Sequence, residues 1–282
     1  MIKNQIKTAL LLGILTGVLL LIGSFFGRQG LTFAFGFAIL MNFGAYFFSG
    51  KLVLMMYRAK EANENEHSKL FKIVREVSQL SGVPMPKVYI IPTSNPNAMA
   101  TGRNPKHAVV AVTEGILELL NDHELKGVIA HEFAHIKNRD ILIQTVAATI
   151  AAVISYVAFM ARWAAIFGGY GRDNEGGNNI LELLVLAIIA PITATIIQLA
   201  ISRSREYLAD ESGSGYIHSS EGLANALKKL EAGSKNRPIK FGNQQTSSLF
   251  IVNPFSGRSL FKLFSTHPDV EDRIRKLKEL RI

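Results

Sequence analysis

Four long apolar runs constrain what this chain can fold into more than any other feature. They occupy residues 8–26, 31–48, 141–167 and 180–201 of the 282 residues. Each run contains about 18 residues or more, which is enough for a helix to cross a hydrocarbon core of about 30 Å. A signal peptide would have a shorter apolar core and a cleavage site of small residues, and the first run has neither. The sequence therefore predicts an α-helical multi-pass membrane protein with four transmembrane helices.

Basic residues flank these runs on one side of the predicted membrane. They precede the first run and follow the second and the fourth: Lys3, Lys7, Lys51, Arg58, Lys60, Arg203 and Arg205. The connector at residues 27–30 contains one arginine, and that at residues 168–179 contains one arginine against two acidic residues. Because cytoplasmic loops carry the excess of Lys and Arg, we expect both termini and residues 51–140 on the cytoplasmic side of a bacterial inner membrane.

The overall composition limits the partners of the chain. Its formal net charge is +9, 48% of its residues are hydrophobic, and cysteine is absent. Membrane orientation and contact with anionic lipid explain the positive charge, so the lipid bilayer is an expected partner. No basic–aromatic motif supports nucleic-acid binding. The lack of cysteine excludes disulfides and thiolate metal ligands. Nothing in the sequence indicates an oligomeric state.

Two polar segments alternate with two predicted membrane hairpins. The hairpins cover residues 1–50 and 141–201, and the polar segments cover residues 51–140 and 202–282. Neither polar segment is sufficient for a domain alone, so we expect the two to fold together. The expected product is one cytoplasmic, zincin-like domain that is mainly α-helical and contains a small β-sheet.

Periodicity and turn residues predict the elements of this domain. Apolar residues recur at helical spacing from Leu70 to Leu80, and Gly82 ends that helix. Lys87–Ile91 and residues 108–112 are short, apolar and bounded by turn residues, so they are predicted strands. Further predicted elements are a helix at residues 113–120, a helix that Asn121 caps, a loop at residues 234–248 and a charged helix at residues 270–282.

The helix after Asn121 contains the motif His131-Glu132-Phe133-Ala134-His135. On a helix, positions i and i+4 share a face, so both imidazoles can reach one metal ion. Glu132 follows the first histidine, where its carboxylate can reach a metal-bound water and act as a general base. The alternative is an ordinary amphipathic helix with two surface histidines.

Two histidines and a water do not complete a hydrolytic zinc site, so a third protein ligand is needed. His135 lies six residues before the third apolar run and Glu206 lies five residues after the fourth. If these helices continue out of the bilayer, both residues lie within about 8–9 Å of the same membrane face. Asp210 is four residues after Glu206 and is placed to accept the outer ring N–H of a ligand histidine. The alternative is a surface helix on which Glu206 and Asp210 pair with Arg203 and Arg205.

The sequence resembles the HtpX-like branch of the membrane zinc metallopeptidases, a family that also includes the CAAX prenyl proteases. The resemblance covers most of the chain, including four membrane runs with the zinc helix between the second and the third. It rests on HEFAH at 131–135, SRSREYLAD at 202–210, NAMATGRNP at 97–105 and STHPDVEDRI at 265–274. It implies one Zn²⁺ held by His131, His135 and Glu206, with Glu132 as the general base and Asp210 in support.

The same resemblance implies roles for two further groups of residues. An edge strand that pairs with the substrate backbone would contain Asn97, Ala98, Met99 and Ala100. His267 would stabilise the oxyanion, with Arg273 behind it. Met99 stands where the family has an aromatic residue and Asp269 where a second proline is usual, so the side-chain preference of the family is not carried over.

The sequence therefore predicts a membrane zinc metalloendopeptidase that cleaves unfolded or misfolded proteins, consistent with the family's role in membrane protein quality control. Two alternatives remain. A CAAX-type prenyl-protein endopeptidase would share the zinc chemistry, but that branch has more membrane spans than are counted here. A non-enzymatic, zinc-stabilised membrane scaffold would have a closed site with four protein ligands.

Overall fold

The computed structural model of the chain describes residues 2–24, 27–151, 203–239, 241–242, 244–255 and 268–282. It begins with two long helices, α1 (Ile2–Ser24) and α2 (Gly27–Met56), which pack against each other as a hairpin. The Asn42 amide of α2 donates to the Thr16 hydroxyl of α1 at 2.8 Å. A hydrogen bond between polar side chains therefore links two predominantly apolar helices.

The described residues contain one helix that is long and apolar enough to cross a membrane, the 30-residue α2. Shorter apolar stretches are Gln5–Leu21 in α1 and the helix α6 (Asp140–Ala151), where the third predicted span begins. The rest of that span and the whole fourth span lie outside the described residues. A buried apolar cluster joins α6 to the α1–α2 hairpin, and its members are Leu11, Leu15, Ala45, Ile143, Val146, Ala147 and Ile150.

A small mixed sheet follows α2. Its strands are β1 (Lys60–Glu61), β2 (Lys87–Ile91), β3 (Ala98–Gly102) and β4 (Ala108–Thr113), in the order β1-β2-β4-β3. Strands β2 and β4 are parallel, and the other two pairs are antiparallel. The two strands predicted from the sequence are confirmed as β2 and β4. Because β3 lies at an edge of this sheet, one side of its backbone faces away from β4.

Local sequence explains the two helices that flank the strands. Helix α3 (Ser68–Ser81) ends at Gly82, whose φ of 69° is the left-handed conformation that glycine adopts without strain. Helix α4 (Glu114–Leu119) begins after Thr113, whose hydroxyl accepts the Ile116 N–H. Both helices are confirmed close to their predicted positions.

Helix α5 (Asp122–Lys137) carries the predicted metal-binding motif through the core of the domain. It begins with a capping box, in which the Asn121 side chain accepts the Glu124 N–H at 2.9 Å. The Glu124 carboxylate accepts the Asn121 N–H at 3.1 Å in return. All of its residues from Val128 to Ile136 are buried, whereas a surface helix would bury only one stripe.

Three helices complete the described domain: α7 (Arg203–Ile217), α8 (Glu221–Asn236) and α9 (Val270–Glu279). A large apolar core joins α3, the sheet, α5, α8 and α9. Residues from both polar segments therefore share one core. Helix α9 confirms the predicted C-terminal helix, although it ends three residues before the end of the chain.

The loop predicted for residues 234–248 is shorter in the structure. Helix α8 extends to Asn236, and Gln244–Leu249 form a short 3₁₀ helix. Ser234 is 4% exposed and its hydroxyl donates to the Pro96 carbonyl at 3.4 Å. This contact holds the end of α8 against the segment before β3, which local sequence does not reveal.

Candidate metal centre and active site

His131 and His135 lie one turn apart on α5. Their Nε2 atoms are 3.2 Å apart, and the residues are 1% and 5% exposed. This burial excludes the alternative of two surface histidines. Two ring nitrogens at such a distance face the same point, as two ligands of one ion do.

Glu206 of α7 brings a carboxylate to the same point. Its Oε2 atom is 3.8 Å from His131 Nε2, and its Oε1 atom is 3.5 Å from His135 Nε2. Ligand atoms bound at about 2.0–2.2 Å in a tetrahedral zinc site lie roughly 3.3–3.6 Å apart. The observed distances and the donor types, two imidazoles and one carboxylate, therefore fit a metal ion held among the three residues.

A carboxylate holds the outer ring nitrogen of each histidine. His131 Nδ1 lies 2.9 Å from Asp210 Oδ1, and His135 Nδ1 lies 3.2 Å from Asp140 Oδ2. A neutral imidazole that donates through Nδ1 has its lone pair on Nε2. These two bonds therefore direct the lone pairs of both rings toward the metal position.

The electrostatic surroundings of the two rings differ. Burial lowers the pKa of His131, although the hydrogen bond to Asp210 opposes this change. Burial would also lower the pKa of His135, but the hydrogen bond to Asp140 and the charge of Glu206 raise it to about 9. The field at His135 therefore favours positive charge, and the same field favours a bound cation.

Glu132 lies beside His131, His135 and Glu206. Burial raises its pKa to about 7, with a contribution from Glu206, while His135 opposes the rise. The backbone N–H of Ala100 in β3 also opposes this rise in the pKa of Glu132. A carboxylate with a pKa near neutrality can both take up and release a proton, so this residue has the chemistry of a general base.

Arg273 of α9 holds Asp210 in turn. Its Nε and Nη2 atoms donate to the two Asp210 oxygens at 2.8 and 2.7 Å, and its Nη1 atom lies 3.7 Å from Glu206 Oε2. Burial alone would raise the pKa of Asp210, but the charge and hydrogen bonds of Arg273 lower it. Glu206 and Asp210 are 1% and 4% exposed, which excludes the alternative of a solvated helix face.

A cavity of about 10 Å³ lies among these groups, which is roughly the space that one water molecule needs. Its walls are the three ligand residues, Glu132, Gln144 of α6 and residues 248–251. The end of the 3₁₀ helix and the residues after it therefore close the site on the side of β3.

The predicted substrate-binding residues lie in and just before β3, next to this closing segment. Asn97 pairs with Thr113 on the β4 side, so the alternation of the strand directs the backbone of Ala98 and Ala100 to the outer edge. The Ala98 carbonyl accepts the Ile251 N–H at 3.2 Å. The chain's own segment therefore occupies part of the edge at which a substrate strand is predicted to pair.

The side chains of Asn97 and Met99 are engaged within the fold. The Asn97 amide donates to the Val252 carbonyl at 2.8 Å and accepts the Val252 N–H at 3.4 Å. Met99 is fully buried in a cluster with Tyr57 and Phe250. The backbone of β3, rather than these two side chains, is thus the part of the strand that is directed toward the site.

The structure adds residues that the sequence analysis did not select and leaves one selected residue undescribed. His267 lies outside the described residues. Asp140 contacts His135, and the guanidinium of Arg205 lies 3.8 Å from Asp140. The sequence does contain a signal for Asp140, because it is an acidic residue five positions after the second motif histidine, just beyond the end of α5.

Two histidines and a glutamate that converge beside a second, buried glutamate define a metallopeptidase centre. The sequence model described as Peptidase family M48 matches residues 64–281. The chain therefore belongs to peptidase family M48 and is a metalloprotease.

Proteins that are similar over almost the whole chain identify the branch of the family. A Protease HtpX homolog of Syntrophobacter fumaroxidans is 52% identical over 98% of this chain and 99% of its own length. Proteins of the same name from Thermococcus kodakarensis and Thermodesulfovibrio yellowstonii are 51% and 54% identical, again over 98% of this chain and over 95% and 98% of their own lengths. The predicted HtpX-like branch and the predicted membrane metalloprotease are confirmed.

A solved structure resembles the fold. S. mikatae Ste24p gives a TM-score of 0.53 at 17% sequence identity, over 98% of this chain. This chain spans 66% of the length of that structure. The comparison therefore supports the fold class, a mainly helical protein with a small mixed sheet, and nothing about activity.

Proposed function

We propose that the protein is a membrane zinc endopeptidase that hydrolyses unfolded or misfolded proteins in membrane protein quality control. The observation that carries this proposal is the convergence of three ligand atoms beside the buried carboxylate of Glu132 in one cavity. Relatives about 50% identical over almost the whole chain are named Protease HtpX homolog, which supports the same reaction class.

The proposed metal is one Zn²⁺ held by His131, His135 and Glu206. Asp210 orients His131, and Arg273 fixes Asp210 by two hydrogen bonds. Zinc in such a site supplies Lewis acidity and lowers the pKa of water toward about 7. Within the described parts of the chain three residues would hold the ion, and a site with three protein ligands would keep a position open for chemistry, as in other hydrolytic zinc sites.

Glu132 is the proposed general base. It takes a proton from the attacking water as the new C–O bond forms at the scissile carbonyl carbon. It then delivers this proton to the amine nitrogen as the C–N bond breaks. From the family resemblance, we assign His267 to stabilisation of the negative charge on the tetrahedral oxygen.

The proposed substrate site is the outer edge of β3. The backbone N–H of Ala100 acts on the pKa of Glu132, so the general base lies near the edge where a strand paired to Ala98 and Ala100 would pass. Pairing through backbone atoms demands little of the substrate side chains. It requires an extended peptide, which suits unfolded or misfolded proteins. Because Ile251 bonds to Ala98 in this structure, pairing at that residue requires the bond to Ile251 to break.

The proposed location is a bacterial inner membrane with the active site on the cytoplasmic side. Helix α2 is of membrane-spanning length and ends at Met56. It is followed at once by Arg58 and Lys60 and by the first strand of the sheet. Basic residues at this point support a cytoplasmic orientation, and the multi-pass arrangement rests on the four apolar runs.

The test is cleavage of an unfolded protein by the full chain in detergent. The protein is stripped of metal with a chelator and incubated with casein, with and without added Zn²⁺, beside a stably folded protein as a control substrate. We expect zinc to restore cleavage of casein and to leave the folded protein intact. Zinc-loaded protein that leaves casein uncut would contradict an endopeptidase of broad specificity.

Two alternatives give different results in the same assay. A CAAX-type endopeptidase would cut a prenylated peptide and leave casein intact. A zinc-stabilised scaffold would bind zinc and cut neither substrate. Similarity over almost the whole chain to proteins named Protease HtpX homolog favours the proposed function over the CAAX alternative. Membership of a peptidase family favours it over the scaffold.

A further inference from the structure

Each ligand histidine is held by its own pair of an acid and an arginine. Asp210 contacts His131, and Arg273 contacts Asp210, as described above. Asp140 contacts His135, with its Oδ2 atom 3.2 Å from His135 Nδ1. Arg205 lies next to Asp140, with its Nη1 atom 3.8 Å from Asp140 Oδ1. We propose that Asp140 and Arg205 are positioning residues that orient His135 for metal binding. This inference rests on the proposed zinc site and extends it.

Asp140 reaches His135 because the chain turns sharply between α5 and α6. Arg139 has a φ of 59°, a left-handed conformation that a residue with a side chain rarely adopts. This turn brings Asp140, the first residue of α6, back against the last turn of α5. Asp140 is 1% exposed, and a carboxylate so deeply buried needs partners such as the ring N–H of His135.

The two histidines also differ in their need for support. His131 lies in the middle of α5, where the helix packs against α7. His135 lies in the last turn, two residues before the helix ends at Lys137. The end of a helix is less constrained than its middle, so the bond to Asp140 is the contact that fixes the ring of His135 across the junction with α6.

Arg205 supplies positive charge behind Asp140. The residue is 9% exposed, and within the described parts of the chain its three guanidinium nitrogens make no hydrogen bond. Asp140 and Glu206 are the acids whose charges act on it. Arg273, by contrast, makes three hydrogen bonds to Asp210 and Ile251. We therefore expect Arg205 to contribute less to metal binding than Asp140 does.

The test measures zinc affinity of the full-length protein in detergent by competition with a chromogenic chelator. Loss of a residue that orients a ligand histidine typically weakens metal binding by about 10–100-fold, and we expect this for Asp140→Asn. For Arg205→Gln we expect a smaller loss of about 2–10-fold, by comparison with the same range. Arg205→Gln should weaken zinc binding much less when Asp140 is already Asn, because the two act through one contact.

Matched controls separate this role from a general loss of structure. Asp122→Asn, in the first turn of α5, and Arg203→Gln, at the start of α7, remove exposed charges and should leave the affinity unchanged. Asp140→Glu keeps a carboxylate and should bind zinc more tightly than Asp140→Asn. Co²⁺ in place of zinc should show altered visible absorption bands in Asp140→Asn and unaltered bands in Asp122→Asn.

The outcomes distinguish this inference from the proposed function. If substitution of His131 or Glu206 leaves the zinc affinity unchanged, the proposed metal site itself is overturned. If both substitutions weaken zinc binding but Asp140→Asn binds zinc as tightly as the wild type, only the positioning role is overturned. Equal affinities of Asp140→Asn and Asp140→Glu would contradict the role of the carboxylate charge.

Discussion

Gly213 of α7 lies directly against the backbone of Ala130 in α5. A Cβ atom on Gly213 would lie 2.8 Å from the carbonyl carbon and oxygen of Ala130 and from the nitrogen of His131. Helix α7 carries Glu206 and Asp210, and α5 carries the two histidines. The close approach at Gly213 therefore fixes the distance between the two halves of the metal site.

Gly213→Ala should separate α5 from α7. The clash involves backbone atoms that cannot rotate away, and overpacking of this kind costs about 1–3 kcal/mol. The helix propensity of alanine returns up to about 1 kcal/mol. We expect a net loss of stability and at least about tenfold weaker zinc binding, because Glu206 and Asp210, which face the histidines, lie across this interface.

Gly215→Ala is the matched control for this prediction. Gly215 lies on the same helix, and a Cβ there would meet nothing within 4 Å. We expect its zinc affinity to equal that of the wild type and its thermal stability to be equal or slightly higher. Equal effects of the two substitutions on zinc affinity would contradict a role for the α5–α7 approach in shaping the site.

Removing one member of the buried Arg273–Asp210 pair should be far more costly than removing both. Arg273→Met leaves the Asp210 carboxylate buried with reduced compensation, and breaking a buried pair in this way costs about 3–5 kcal/mol. The double variant Arg273→Met/Asp210→Asn should cost much less than the sum of the two single variants. Thermal unfolding of the metal-free proteins measures all four corners of this cycle, and strictly additive effects would contradict the coupling.

Asn97→Ala should release the segment that closes the cavity. The Asn97 amide makes two hydrogen bonds to the Val252 backbone, and losing buried hydrogen bonds costs about 1–3 kcal/mol. We expect faster hydrogen exchange at the amides of Ile251 and Val252, measured by mass spectrometry. Asn253→Ala is the control, because Asn253 is exposed and its side chain accepts the N–H of nearby Phe255. Unchanged exchange in Asn97→Ala would show that other contacts hold the segment.

Patterns within single elements could be predicted from the sequence because short-range physics determines them. The i, i+4 spacing placed His131 and His135 on one face, and Gly82 and Asn121 marked the end of α3 and the start of α5. Glu206 could be proposed as a ligand because two predicted membrane segments would bring it back to the level of His135. The structure now places its carboxylate 3.5 Å from that histidine.

Contacts that depend on tertiary packing could not be predicted in the same way. Asp140 follows α5 and faces His135 only because Arg139 adopts a positive φ. The segment that ends at Val252 lies along β3 through single backbone and amide bonds, which leave no periodic pattern in the sequence. The burial of Met99 within β3 likewise follows from its packing against Tyr57.

The most direct test of the proposed catalytic centre compares the wild type with Glu132→Gln in one experiment. Zinc content and the rate of casein cleavage are measured on the same detergent-purified samples. We expect one zinc per chain in both proteins, because Glu132 is not a proposed ligand. Cleavage by the variant should fall by about 10²–10⁴-fold, the usual contribution of a general base. A zinc-loaded Glu132→Gln protein that cleaves at the wild-type rate would contradict the assignment of this site as the catalytic centre.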